Sequence, residues 1–123
     1  DMDGVARLVH PDGKPGIRHV VGIKDVVQSV LLAIGNASSI GHAFTIAAPS
    51  SFSYSVAADY ISKQLGIPIV EFEDDGFYDF THSVAKARSI LGYDPQYDII
   101  KIIDDAIEFR KSGKTRHPLK YIG

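Results

Sequence analysis

Short apolar runs alternate with stretches of helical periodicity along the chain, and this alternation is the feature that most constrains its fold. Residues 17–23 form one such run before a helical stretch at about 26–36, and residues 43–48 form a second. A third run, 67–72, is followed by two further helical stretches. Because strands that alternate with helices favour parallel pairing, the sequence predicts an α/β fold with few, mostly parallel, short strands and about four helices.

Polar caps and glycines predict where these helices begin and end. Asp25, Ser53 and Asp98 each precede a stretch of helical periodicity, and short polar side chains at that position accept hydrogen bonds from the first free backbone N–H groups. Gly66 and Gly92 follow two of the stretches, in the position where a helix commonly ends in a left-handed residue. We therefore expect defined helices after each cap, the last with an amphipathic face.

The helix predicted at 26–36 is apolar on nearly every side. Only Gln28 and Ser29 are clearly polar before Gly35. The remaining positions are Val26, Val27, Val30, Leu31, Leu32, Ala33 and Ile34. Because a helix that is hydrophobic all round must be covered on more than one side, the sequence predicts that this helix needs more protein than these 123 residues supply.

A length of 123 residues corresponds to one small domain, which we divide into three parts. Residues 1–16 are predicted to be an irregular lead segment, because turn-forming residues are dense at 11–16. Residues 17–113 carry the alternating pattern, and residues 114–123 form a basic tail. Met2 lies inside an acidic start, so we expect Asp1 to be an arbitrary starting point rather than the start of a gene.

Composition excludes several classes of function. The 13 Lys and Arg residues against 15 Asp and Glu residues give a net charge of -2, so no overall basic field favours nucleic acid. No apolar run approaches the roughly 18 residues of a membrane span. The sequence has no cysteine, which excludes disulfides, thiolate nucleophiles and cysteine zinc sites. The same absence fits a reducing, cytoplasmic compartment.

No complete catalytic, cofactor or metal motif is present. The sequence has neither a Gly-rich dinucleotide or phosphate loop nor a Ser nucleophile elbow. Its five histidines lack the spacing of a helical zinc pair, so we expect surface or loop histidines and no metal site. Five acidic residues could in principle bind a hard cation, but they lack the order of a calcium loop and are expected to form a solvated acidic turn: Glu71, Glu73, Asp74, Asp75 and Asp79.

Five segments in order nevertheless resemble one family. They read RHVVGIKDVV at 18–27, AFTIA at 43–47, FSY at 52–54, AKAR with LGYDP over 85–95, and EFR at 108–110. Together they resemble the extended short-chain dehydrogenases/reductases, the NAD-dependent epimerase/dehydratase family, over about residues 17–113. The resemblance implies that the chain is the C-terminal, substrate-binding portion of such an enzyme.

In that family the cofactor-binding half comes first and carries the Gly-rich loop and the catalytic residues. The resemblance therefore implies NAD or NADP in the full-length parent, and no cofactor or catalysis in this chain alone. Its implied partner is the N-terminal cofactor-binding domain of the same protein, which would also cover the apolar helix. Tyr97 and Lys101 match the Tyr-x-x-x-Lys spacing of the family, but Tyr97 directly precedes a helix cap and receives no role.

Two residues are candidates for contacts with a sugar or nucleotide-sugar substrate. By resemblance Arg18 would meet the substrate diphosphate, because its forked donors suit phosphate oxygens; a surface arginine at a strand start is the alternative. Tyr78 is a candidate for lining the pocket, with a buried packing tyrosine as the alternative. The chain departs from the family at Ser83 and Ala85, which replace an Asp and a Ser, and at the acidic residues 71–75, which would repel a diphosphate.

A second function stays open beside this one. The chain could be a non-catalytic α/β binding or oligomerisation module whose apolar surface joins copies of itself. An upstream strand, Gly-rich loop and helix would favour the enzyme, whereas a start codon close to Asp1 would favour the module.

Overall fold

The computed structural model describes residues 3–76 and 78–114, so all but the first residue of the predicted basic tail lies outside the described residues. These described residues fold into four α-helices and two small sheets, which confirms the predicted α/β class. In chain order the elements are β1 (Val5–Val9), β2 (Ile17–Arg18), α1 (Ile23–Ala33), a 3₁₀ turn (Ala37–Ser39), β3 (Phe52–Ser53), α2 (Tyr54–Leu65), β4 (Ile69–Glu73), α3 (Ala85–Leu91) and α4 (Ile99–Lys111).

The larger sheet corrects the prediction of an irregular lead at 1–16. Strand β1 pairs in parallel with β4, in a register that runs from Val5 opposite Ile69 to Val9 opposite Glu73. The two valines are buried and α2 packs on the sheet. The strand depends on a partner more than 60 residues away, which no local pattern reveals. Only the turn predicted at 11–16 is observed, closed by a hydrogen bond from the His10 amide to the Lys14 carbonyl.

Of the three predicted strands, the run at 67–72 forms β4, but the other two are mostly absent. The run at 17–23 gives only the two residues of β2, which pair antiparallel with β3. The run at 43–48 forms no strand, although Ala47 and Ala48 are buried. Their carbonyls are satisfied singly by side chains, the Tyr93 hydroxyl at 2.8 Å and the His19 ring at 2.8 Å. The Ala48 amide also donates to the Val20 carbonyl at 2.7 Å, so this one backbone hydrogen bond and single side-chain partners replace the ladder that the apolar run predicted.

Local signals placed α2, α3 and α4 correctly. The Ser53 side chain accepts from the Val56 amide at 3.3 Å, and Gly66 ends α2 with a φ of 66°. The Asp98 carboxylate accepts from the Lys101 amide at 2.9 Å at the start of α4. Each of these caps lies within a few residues of the group that it satisfies, which is why the sequence alone reveals it.

The cap predicted for the first helix was wrong. Helix α1 begins at Ile23, after Gly22, so Asp25 lies in its first turn instead of before it. The Asp25 carboxylate is 1% exposed and accepts from the backbone N–H groups of Gln96 and Tyr97, each at 2.9 Å. It therefore fastens α1 to the loop before α4. A Cβ atom on Gly22 would lie 2.8 Å from the Tyr97 Cβ, so the two segments approach closely.

The core centres on α3. Ala87, Leu91 and Tyr93 are buried, and partly buried apolar side chains surround them: Leu32, Ala33, Phe44, Ile46, Val84 and Ile90. Burial, followed by the negative charge of Asp25, raises the pKa of the Tyr93 hydroxyl to about 12. The core is small, because Tyr93 and Asp25 are the largest fully buried side chains of the described residues. None of the helices in residues 3–76 and 78–114 has the length and apolar character to cross a membrane.

Candidate functional site

The structure brings the two predicted substrate residues together beside β2. Arg18 Nη1 donates to the Tyr78 carbonyl oxygen at 3.1 Å, and the guanidinium carbon lies 4.7 Å from the centre of the Phe80 ring. The Tyr78 side chain is 80% exposed, so it is not a buried packing tyrosine in the described chain. The Tyr78 carbonyl and the Phe80 ring thus hold the guanidinium.

Asp79, which the sequence analysis considered only as one of a group of acidic residues, lies within this cluster. Asp79 Oδ1 accepts from the Ile17 amide at 2.7 Å and contacts His10 Nε2 at 3.0 Å. These two hydrogen bonds, the backbone one first, hold the pKa of Asp79 below its usual value. The carboxylate also feels the charge of Arg18. The negative charge of Asp79 therefore lies near Arg18 and offsets part of the electrostatic field of its guanidinium.

His19 lies outside the helices and strands, as the expectation of surface or loop histidines allows, but it is not on the surface. The residue is only 8% exposed. Its Nδ1 accepts from the His82 amide at 2.9 Å, and its Nε2 lies 2.8 Å from the Ala48 carbonyl oxygen. No local pattern marks this position, because both partners are about 30 residues or more away in sequence. Residues 78–82 are therefore joined to β2 at Ile17, at Arg18 and at its continuation, His19.

The outward surface of α1 is the second candidate for function. Ile23 is 74% exposed, Leu31 66% and Ile34 71%, whereas the buried residues of this helix are Asp25 and Ser29. The helix packs Leu32 and Ala33 against the core, yet its two fully buried residues are polar and five of its large apolar side chains face outward, unlike those of an ordinary surface helix. We call the exposed apolar residues Ile23, Val27, Val30, Leu31 and Ile34 the α1 face.

A groove of about 320 Å³ lies between the start of α1 and α4, away from Arg18. Its polar rim is an ion pair, with Lys24 Nζ 2.9 Å from Asp105 Oδ2. Lys24 Nζ also lies 4.8 Å from the centre of the Tyr97 ring. Lys101 donates instead to the Gln96 carbonyl at 3.0 Å. The Tyr97 and Lys101 pair is thus engaged in packing and local hydrogen bonds, and we assign it no catalysis.

Metal ligands do not converge within residues 3–76 and 78–114, where no group of three or more His, Asp or Glu could hold an ion. Among the acidic residues at 71–75, Glu71 Oε1 accepts from Arg7 Nε at 3.0 Å. Asp74 Oδ1 accepts from the Gly76 amide at 3.0 Å. These contacts are those of a sheet surface and a turn.

Several solved structures share this fold. A short-chain dehydrogenase/reductase superfamily protein from Agrobacterium tumefaciens with bound NAD superposes with a TM-score of 0.77 at 24% identity, over 88% of this chain and 33% of that one. ADP-L-glycero-D-manno-heptose-6-epimerase from Helicobacter pylori gives 0.74 at 18% identity, over 89% and 33%. UDP-glucuronic acid 4-epimerase from Bacillus cereus, in complex with UDP-glucuronic acid and NAD, gives 0.70 at 16% identity, over 87% and 35%.

These likenesses define the class of fold. The chain has the fold of part of a short-chain dehydrogenase/reductase, which confirms the predicted resemblance at the level of structure. It spans about a third of the length of the structures it matches. No protein-family model matches the sequence, and a search of curated proteins gives no significant match.

Proposed function

We propose that the chain is the substrate-binding C-terminal part of an NAD(P)-dependent epimerase or dehydratase that acts on a sugar or nucleotide sugar. The proposal rests on the unequal coverage of the fold match, which includes 88% of this chain but only 33% of an NAD-bound structure. Two of the matched proteins are named sugar or nucleotide-sugar epimerases. A reducing, cytoplasmic compartment fits the absence of cysteine.

The cofactor belongs, in this proposal, to another part of the protein. Dinucleotide sites place a Gly-rich loop between a strand and a helix N-terminus. The described helices start after Gly22, Ser53, Val84 and Asp98, and none follows such a loop. The residues present therefore do not fit NAD(P), and we assign hydride transfer to an N-terminal cofactor-binding domain. The share of this chain is to bind and orient the substrate.

The α1 face is the surface that we assign to that domain. Its five apolar side chains are at least half exposed, and exposed apolar patches of this kind mark contact surfaces. Inward-facing Asp25 holds α1 to the loop before α4 through two hydrogen bonds, so the orientation of the helix is fixed. A preceding domain packed on this face would bury it beside the substrate-binding part.

Arg18 is the residue to which we assign the anionic group of the substrate. Its planar, permanently charged donors suit phosphate or carboxylate oxygens. The Tyr78 carbonyl and the Phe80 ring restrict the guanidinium before any ligand arrives, which lowers the entropy lost on binding. We assign the exposed Tyr78 phenol to the same substrate site.

We expect Arg18→Ala in the full-length enzyme to raise the KM for an anionic sugar substrate by roughly tenfold or more, the effect of losing a charge-assisted hydrogen bond. Arg18→Lys should recover part of this loss, since it keeps the charge without the fork. Steady-state kinetics with nucleotide sugars and NAD(P) provide the measurement. Arg110→Ala, at an exposed arginine of α4, is the matched control. An unchanged KM in Arg18→Ala would return Arg18 to a structural role.

The α1 face also supports the second function, a non-catalytic α/β module that assembles through this surface. In that case two copies would bury their α1 faces against each other. The sequence upstream of Asp1 discriminates, because a strand, Gly-rich loop and helix there favour the enzyme. Sedimentation velocity of Leu31→Glu provides the second test: a dimer that dissociates favours the module, and a monomer in both forms favours the enzyme.

A further inference from the structure

We propose that His19 is a positioning residue of the substrate site. His19 binds residues 78–82 to the end of β2 and thereby determines the position of the Arg18 side chain. This inference rests on the proposed function and names a residue that acts through others. His19 is buried, and it links three separate parts of the chain: β2, the extended residues 43–48, and residues 78–82.

Its hydrogen bonds define one tautomer. The His82 amide can only donate, so the His19 Nδ1 that it meets at 2.9 Å must be unprotonated. The Ala48 carbonyl oxygen can only accept, so the Nε2 that lies 2.8 Å from it must carry the proton. A neutral imidazole with its proton on Nε2 satisfies both partners, and the other two protonation forms each place a donor opposite the His82 N–H.

A series of ring contacts connects His19 to Arg18 through His82 and Phe80. The His19 and His82 rings stack with centres 5.9 Å apart at an angle of 22°. The His82 ring lies 5.1 Å from the Phe80 ring, and the Arg18 guanidinium carbon lies 4.7 Å from Phe80. In this proposal the buried His19 imidazole determines the position of the Phe80 ring and of the Tyr78 carbonyl, the two groups that contact the Arg18 guanidinium.

Other hydrogen bonds that hold residues 78–82, including the one from Arg18 to the Tyr78 carbonyl, are exposed to water. Asp79 bonds to the Ile17 amide, and the Thr81 hydroxyl donates to Ser51 Oγ at 2.9 Å, both in exposed positions. Residues 78–82 contain no helix or strand of their own. Because a sheltered hydrogen bond is stronger than a solvated one, the His19 contact is the one that we expect to hold this segment against β2.

The test compares two substitutions of His19 in the full-length protein. His19→Phe keeps a stacking ring but removes both hydrogen bonds, and His19→Asn keeps an acceptor close to the place of Nδ1. Since small misplacements in a binding site have large effects, we expect the KM for the anionic substrate to rise roughly tenfold or more in His19→Phe, with a smaller change in kcat. His19→Asn should recover most of the loss. His42→Phe, at an exposed histidine, should leave the kinetics unchanged.

A second measurement needs no variant and no activity. Nitrogen NMR of the full-length wild-type protein should show His19 Nδ1 as unprotonated, with a scalar coupling across the hydrogen bond to the His82 amide. A proton on Nδ1, or a wild-type KM in His19→Phe, would overturn the proposal. If the enzyme lacks NAD-linked activity, the proposed function fails on its own, and the NMR result still decides whether His19 fastens the segment.

Discussion

At the residue scale, buried polar side chains join segments that are far apart in sequence. Asp25 satisfies two backbone N–H groups of the loop before α4, and His19 joins two segments to the end of β2. Neither contact is visible in a local pattern. The sequence identified Arg18 and Tyr78 because they fall within or beside family-like segments. It missed the contacts of Asp79 and His19 because their partners lie about 30 to 70 residues away.

Asp25→Ala should destabilise the folded chain strongly. The substitution leaves the buried N–H groups of Gln96 and Tyr97 without acceptors, at about 1–3 kcal/mol for each unsatisfied group. Equilibrium urea unfolding should therefore show a loss of about 2 kcal/mol or more in the free energy of unfolding. Asp59→Ala is the control, because Asp59 is 64% exposed and should change stability by less than about 0.5 kcal/mol. Equal effects of the two substitutions would contradict the assigned role of Asp25.

The lowered pKa of Asp79 predicts a pH dependence of stability. Hydrogen bonds from Ile17 first and His10 second favour the ionised carboxylate in the folded chain, whereas the unfolded reference pKa is 3.8. Its stabilising contribution is therefore present above pH 3.8 and is lost as the pH falls through the lower pKa of the folded state. Urea midpoints of wild type and Asp79→Asn should differ near neutral pH and converge below pH 3.8. A constant difference from about pH 7 to about pH 3 would refute this linkage.

At the element scale, the helices with adjacent caps were predictable, and so was β4, which forms at the run predicted over 67–72; β1 was not predicted, and the runs at 17–23 and 43–48 form little or no strand. Ser53, Asp98 and Gly66 act on groups within a few residues, so α2 and α4 follow from the sequence. Strand β1 exists through pairing with β4, and residues 43–48 lose their predicted ladder to single side-chain partners. Helix α1 lies between these cases: its apolar character was correctly identified, but its start and the role of Asp25 were not.

The α1 face gives the prediction at this scale. In the chain by itself, the triple substitution Ile23→Ser, Leu31→Ser and Ile34→Ser should leave the urea midpoint nearly unchanged, because these side chains are already largely exposed. It should also lower the binding of a hydrophobic dye. In the full-length protein the same change should destabilise by several kcal/mol, since about 1.5–3 kcal/mol accompanies the burial of each large apolar side chain.

The control for this experiment is Val56→Ser on α2, another half-exposed apolar residue outside the α1 face. Its effect should be small in the chain and in the full-length protein alike. If the triple variant is equally stable in both settings, the α1 face contacts no other part of the protein, and the assembly of copies through this surface becomes the better explanation.

At the scale of the whole molecule, the small core and the partial fold match agree. The described residues bury few large side chains around Tyr93 and leave α1 uncovered. They reproduce about a third of the matched structures, with neither a dinucleotide loop in the sequence nor a convergent metal site among the described residues. The partial fold match and the uncovered α1 face are the observations behind our proposal that the chain positions a ligand beside another domain, to which the proposal assigns the redox chemistry.

Isothermal titration of NAD and NADP into the chain and into the full-length protein tests this division of labour most directly. We predict no heat of binding for the chain by itself, and saturable binding of one of the two dinucleotides to the full-length protein. Micromolar binding by the 123 residues alone would contradict the account, as would a full-length protein that binds neither dinucleotide.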